Sequence, residues 1–289
     1  MHIGLSRPMA PPYPIPDVDA ALVAQYAEEL GFESILYGEH PITPLEDDSR
    51  NAVHTEGVPC FQETIVALSR VSAMTHTIRF GFGVCLVVEH NPVRLAKQLA
   101  GIDYYSGGRL LVGIGTGWSR LEVEVMGGRF DRRWARTAEA VTLMRQLWTQ
   151  ERVAFDGEFN QVPPVLCFPQ PAQKPGPPIL LGANSDSVFQ RIAAYGDGWM
   201  PALVTPELIA DGPQFIRAGR DKILHLAEQA GREMTTVPIT CILHGKVDRD
   251  TLKRFADSGL LERVNIMIPY FQTLAEMRER LAWMAEQYL

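Results

Sequence analysis

No stretch of this chain approaches the run of about 18 apolar residues that a membrane-spanning helix needs. Its first residues, MHIGLSRPMAPPYP, carry no apolar signal core. Basic residues are in the minority, 27 Lys and Arg against 34 Asp and Glu. The resulting net charge of −7 argues against a nucleic-acid partner, because neutralising phosphates takes a basic face. Cysteine is scarce: Cys60, Cys85, Cys167 and Cys241 lie far apart, which suits reduced cytoplasmic thiols and neither a disulfide frame nor a zinc knuckle. No Cys/His cluster has metal-ligand spacing, so no metal is expected. Walker, G-x-S-x-G and H-E-x-x-H motifs are all absent.

What is present is a repeated strand–loop–helix pattern in 289 residues, 46% of them apolar and 21% charged, an ordinary globular balance. The clearest unit runs from residue 79 to 127. An apolar strand is expected at 78–84, then a helix with Asn91 as N-cap and Pro92 in its first turn, stopped at Ser106-Gly107-Gly108. The following strand, 110–114, is apolar on both faces, as in a parallel sheet covered by helices. Similar signals give strands at 2–6, 34–37, 179–181, 199–200, 236–243 and 263–268. Helices are expected from Asp17 to Leu30 and over 61–74, 131–148, 206–230, 248–256 and 274–287. Stretches 8–16 and 43–58 read as unpatterned loops, and 153–165 as a hairpin turning at Asp156-Gly157. Eight strand–helix alternations predict an α/β fold, a closed parallel (β/α)8 or TIM barrel. It would form one domain over 1–289 with an insertion near 150–178.

Function in such a barrel sits in the loops after the strands. Gly113-Ile114-Gly115-Thr116-Gly117 is not a dinucleotide fingerprint, since its third glycine would fall on Trp118. It can seat a flat cofactor or its phosphate arm, or be a tight turn alone. Gly182-Ala183-Asn184-Ser185 opens a helix whose N–H groups, with the Ser185 and Ser187 hydroxyls, suit an anion; a plain serine cap reads equally from the residues. Glu39 and His40 close the second strand and point to opposite sides, so one of them can line the mouth as acid, base or hydrogen-bond donor. His54 and His90 read as solvated loop residues, and Glu122 and Glu124 as helix-surface charges. Arg132, Arg133 and Arg136 gather near a helix start, which suits an anionic ligand or an ion pair with Glu139.

The block GVCLVVEHNPVRLAKQLAGIDYYSGGRLLVGIGTGWSRLEVEVMG resembles the centre of the bacterial-luciferase-like superfamily. GFESILYGEH, LMRQLWTQERVAFDGEFNQV and PILLGANSDSVFQRIAAYGDGWMP extend the likeness over most of the chain. Within that superfamily the chain resembles oxidoreductases dependent on the deazaflavin coenzyme F420. The resemblance implies a homodimeric TIM barrel holding F420 at its C-terminal rim and passing a hydride between the deazaflavin C5 and a small organic substrate. It implies a cis peptide at Gly83-Val84 beneath the ring. It places cofactor contacts at Thr116, Gly117, Trp118, Gly182, Ala183, Asn184 and Ser185, with Arg133 or Arg136 nearby. Glu39-His40 matches the acid–histidine pair of the family's glucose-6-phosphate dehydrogenases, which makes His40 and Glu39 the catalytic candidates. The acid that those enzymes carry after the strand-four glycines is Trp118 here, and their glutamate after strand one is missing from residues 7–16. Two alternatives remain open: a monooxygenase using FMN reduced by a separate reductase, and a non-catalytic carrier of flavin or deazaflavin.

Overall fold

A computed structural model describes residues 1–7, 18–42, 61–245 and 247–289. The expected loops at 8–16 and 43–58, with His54, and also Cys60, lie outside the described residues.

The strands are β1 (His2–Arg7), β2 (Ser34–Tyr37), β3 (Arg79–Leu86), β4 (Leu110–Gly115), β5 (Val153–Asp156), β6 (Gln161–Val165), β7 (Ile179–Gly182), β8 (Gly198–Met200), β9 (Ala202–Leu203), β10 (Thr240–Leu243) and β11 (Arg263–Met267). Nine of them form one parallel sheet in the order β8-β7-β4-β3-β2-β1-β11-β10-β9. The ring closes through a parallel bridge between Trp199 of β8 and Ile239, just before β10. β8 and β9 are one barrel strand interrupted at Pro201, which cannot donate to a ladder. The architecture is therefore the expected eight-stranded barrel. β5 and β6 stand apart as the expected antiparallel hairpin.

The helices are α1 (Ala20–Glu29), α2 (Thr64–Met74), α3 (Pro92–Ser106), α4 (Arg120–Val125), α5 (Arg133–Thr149), α6 (Asp186–Tyr195), α7 (Pro206–Ala210), α8 (Gly212–Gln229), α9 (Arg249–Asp257) and α10 (Leu274–Tyr288). Local chemistry sets their ends. Asn91 Oδ1 accepts from the Val93 and Arg94 N–H groups at 3.1 Å each, a cap that typically contributes about 1 kcal/mol. Gly107 ends α3 in the left-handed region at φ +68°. The expected 206–230 helix breaks at Asp211 into α7 and α8, and Pro213 starts the second piece. The strand expected over 236–243 begins only at Thr240; Pro238 lacks the N–H a ladder needs, and its carbonyl accepts from Trp199 N instead.

Two apolar layers hold the barrel. The larger fills the space between strands and helices and includes Phe80, Phe82, Val112, Leu143 and Trp148. The smaller plugs the barrel itself with Leu36, Leu111, Leu180, Met200 and Ile242, and Val84 and Ala202 pack against it. The floor of the mouth is therefore solid, and any ligand sits on it.

Candidate functional site at the barrel mouth

The floor is shaped by an irregularity in β3. Its register with β4 shifts between Phe82 and Cys85, and the Gly83-Val84 peptide is cis, as the resemblance implies. Val84 then lies across the ends of two other strands. A Cβ built on Gly115 would come within 2.6 Å of one Val84 methyl, and one on Gly182 within 2.9 Å of the other. Both positions thus require glycine for close approach. The fold brings Gly83, Val84 and Gly182 together, with Gly115 of the expected Gly113–Gly117 cofactor loop as their partner.

Beside this floor stands His40, 17% exposed at its side chain. Its Nδ1 donates to the Glu122 carboxylate, 2.8 Å from Oε2 and 3.1 Å from Oε1. The imidazole packs between Phe61 and Trp118, with ring centroids 4.6 and 5.6 Å away. Glu122 is fully buried, which overturns its reading as a surface charge. The cause is the orientation of α4. Ser119 Oγ caps its start by accepting from Glu122 N, and the helix turns Glu122 and Val123 inward while Leu121 and Val125 face out. Trp118, 38% exposed, forms the rim above the buried Thr116.

Glu39 and His40 do point to different partners. Glu39 turns away from His40: its Oε2 accepts from Leu86 N at 2.6 Å, and its Oε1 accepts from His90 Nε2 at 3.0 Å. His90 is therefore held against a buried carboxylate and is not a solvated loop residue. Burial opposes its charged form, but the Glu39 carboxylate outweighs that and raises its pKa. Cys85 completes a trio whose donor atoms lie within 4.8 Å of one another. Glu39 already serves a backbone amide and an imidazole, and burial with Glu39 and Glu89 nearby pushes the Cys85 thiol well up. The trio reads as a closed hydrogen-bonded cluster and not as a metal centre.

Glu89 follows in the turn after β3. It is 5% exposed, and neither carboxylate oxygen has a hydrogen-bond partner among the described residues. Burial, then the charges of Glu122 and Glu39, push its pKa up to about 8.

Across the mouth, the loop after β7 adopts an unusual backbone. Ala183 has φ +114°, a conformation costing a non-glycine residue about 1–3 kcal/mol unless its surroundings enforce it. They do: Trp199 Nε1 donates to Ala183 O at 2.8 Å, and Asn184 Nδ2 to Ala202 O at 2.7 Å. Asn184 Oδ1 is left buried without a partner. Ser185 Oγ lies 3.0 Å from Ser187 Oγ at the start of α6. Arg191 of the same helix stacks on Trp134 of α5. Arg133 donates to Phe130 O and lies over the Phe130 ring; burial lowers its pKa, and its Nε has no partner among the described residues. Arg136 donates to Gly127 O and braces the α4–α5 connection. The sequence reading missed Glu122, Glu89, His90 and Cys85 as members of the site. The available signal was the S-x-x-E spacing of Ser119 and Glu122, which marks a helix start but not the direction its glutamate takes.

A closed parallel barrel with titratable side chains gathered at the C-terminal ends of its strands is the arrangement on which TIM-barrel enzymes build their active sites. The family model for luciferase-like monooxygenases matches residues 10–252, and the chain belongs to that family. It is 34% identical over 255 residues to an uncharacterised protein of Mycobacterium tuberculosis (strain ATCC 25618 / H37Rv), covering 85% of this chain and 86% of that one. It is 32% identical over 181 residues to the F420-dependent hydroxymycolic acid dehydrogenase of the same strain, covering 61% of this chain and 47% of that one. Among solved structures it resembles an F420-dependent secondary alcohol dehydrogenase in complex with an F420–acetone adduct. That likeness has a TM-score of 0.74 at 16% identity, over 99% of this chain and 98% of the other, and it speaks for the fold.

Proposed function

We propose that this protein is an F420-dependent oxidoreductase that reduces or oxidises a small carbonyl or unsaturated compound. The reading rests on the pairing of His40 with buried Glu122 beside the Val84 floor, and on relatives named as F420-dependent dehydrogenases. When bound, the deazaflavin supplies or accepts a hydride at C5. The protein's residues fit such a ligand. Val84 offers an apolar platform for a flat ring. The unpartnered Asn184 Oδ1 and Arg133 Nε mark polar positions along its side chain, and Ser185, Ser187 and the start of α6 suit its phosphate.

Glu122 fixes the His40 ring through Nδ1 and leaves Nε2 to hold or hand over a proton. In carbonyl reduction His40 would give its proton to the carbonyl oxygen, and in alcohol oxidation it would take that proton back. A positioned acid of this kind contributes roughly 10²–10⁴ in rate. Trp118 and Phe61 wall the imidazole from bulk water on two sides.

Fluorescence titration with F420 and with FMN, side by side, tests the cofactor: tight F420 binding supports the reading, and binding of FMN alone overturns it. His40→Ala should keep cofactor affinity and lose about 10²–10⁴ in hydride transfer. Full rate in that variant would remove His40 from the mechanism. Tight cofactor binding with no turnover on any carbonyl or enone panel would leave a carrier.

A further inference from the structure

Beneath the mouth, three carboxylates are buried on three different elements: Glu39 after β2, Glu89 after β3 and Glu122 on α4. Two imidazoles face them, and each is already taken. His90 is bonded to Glu39, and His40 to Glu122. Glu89 is the carboxylate left over. Its two oxygens are sealed from solvent and meet no donor among the described residues. The seal is the turn after β4: Gly117 has φ +73°, and a Cβ built there would lie 3.2 Å from Glu89 Oε1 and 3.2 Å from a Val123 methyl. Glu89 thus lies under the turn that carries Trp118 and against the helix that carries Glu122.

An unpaired carboxylate in such a place costs several kcal/mol and takes up a proton instead. The charges that bear on it are Glu122 from α4 and Glu39 from the end of β2; Glu89 in turn acts on the Cys85 thiol of β3, and His90, next to it in its own turn, is bonded to Glu39. All but the imidazole are neutral or negative, and that imidazole is paired with Glu39. With Glu89 uncharged, each of the other two carboxylates has an imidazole partner. With Glu89 ionised, a third negative charge sits beside Glu122 and Glu39 with no counter-ion.

We propose that Glu89 is a positioning residue for His40: held as a neutral acid beneath the Gly117 turn, it keeps Glu122 seated against His40 Nδ1, and its ionisation unseats that pair and sets the alkaline limit of turnover. The inference rests on the role given to His40 above. Glu89 itself touches neither substrate nor cofactor.

The test begins without cofactor. In protein carrying labelled histidine, the His40 ring resonances should follow a second inflection near pH 8 in addition to their own. In Glu89→Gln, whose amide has the shape of the neutral acid and cannot ionise, that inflection should vanish, while the exposed His76 titrates alike in both proteins. The labelled Glu89 carboxyl of the unmutated protein should titrate near pH 8 and not near the ordinary glutamate value, a reading that needs no variant to fold. A Glu89 carboxyl already ionised at pH 6 overturns the proposal. So does a His40 titration identical in both proteins, and so does stoichiometric zinc or iron in the purified protein that Cys85→Ser releases, since a cation would then balance the charge.

With F420 and a turned-over substrate, kcat/KM of the unmutated enzyme should fall above about pH 8. Glu89→Gln should shift that limb upward by at least about one unit, giving about a tenfold advantage over the unmutated enzyme at pH 9. An unshifted limb overturns the link to turnover. If the His40 coupling is seen but no F420 reaction is found, the positioning role stands and the assigned reaction falls.

Discussion

The two rims of the barrel treat buried charge in opposite ways. At the N-terminal rim three charged side chains are well partnered. Arg263, 2% exposed, is bonded to both Glu33 oxygens, to Glu262 and to Thr240 Oγ1. Arg109 makes five hydrogen bonds, to Ser72, Thr75, Ile78 and Ser106. Glu28 accepts from three consecutive backbone N–H groups. At the C-terminal rim, Glu89, Asn184 Oδ1 and Arg133 Nε have no partner among the described residues. Asn265 Oδ1, inside the barrel beside Ser34, and Tyr195 OH lack one too, but polar groups short of partners at the mouth are the ones a ligand can repay.

If that division is real, substitutions at the closed rim should cost stability and spare chemistry. Arg263→Ala is the severest. It leaves the half-buried Glu33 facing Glu262 without a counter-ion, and breaking a buried pair in this way costs about 3–5 kcal/mol. Thermal or denaturant unfolding should show the loss, with cofactor affinity at permissive temperature unchanged. A drop in affinity without a drop in stability would erase the distinction between the rims.

Glu122→Gln probes the open rim. The amide keeps the shape of Glu122 and loses its charge, so His40 keeps a neighbour but not an anion to orient and support its imidazolium. Hydride transfer should fall about 10- to 100-fold, a share of the whole acid contribution, with little change in Tm. A large fall in Tm with an intact rate would make Glu122 a structural residue like Arg263.

The barrel was largely legible in the sequence; the open rim was legible only in part, and the ion pairs of the closed rim were not read at all. Strand and helix identity followed from apolar periodicity, from Asn91-Pro92 and from Ser106-Gly107-Gly108, because these are local codes. Pro238 trimmed the strand that pattern alone began at 236, and beyond Pro201 the structure adds β9, which the expected 199–200 strand did not include. The floor residues Gly83, Val84 and Gly182 came from family likeness, since nothing local announces that a valine on one strand will lie across glycines on two others. Glu122 and His90 were misread for a physical reason. Glu122 lies 82 positions from His40 and His90 lies 51 from Glu39, and only ring closure makes them neighbours. Helix α4 also buries a glutamate while exposing Leu121 and Val125, so the periodicity rule points the wrong way there.

The smallest effect draws the comparison most finely, because it sets two glutamates against each other. Burial works to raise the Glu28 pKa, but the N–H groups of Thr77, Ile78 and His76 outweigh it and hold the carboxyl at about 2. A carboxyl depressed in the fold stabilises above its unfolded value and loses that contribution as pH falls through the folded one. Glu28→Gln should therefore cost about 1–2 kcal/mol at neutral pH, a gap that narrows between about pH 4.5 and 2 and closes below. Glu89 has the opposite sign. Its pKa is raised to about 8, so the fold binds a proton that the unfolded chain has released, and stability declines as pH climbs from about 4.5 to 8. Glu89→Gln should remove that decline and unfold at a higher temperature than the unmutated protein at pH 8. Calorimetry of both variants across pH 3–9 would show two gaps of opposite sign in two separate windows. Two gaps that opened in the same window would mean that the rims do not differ in how they hold charge.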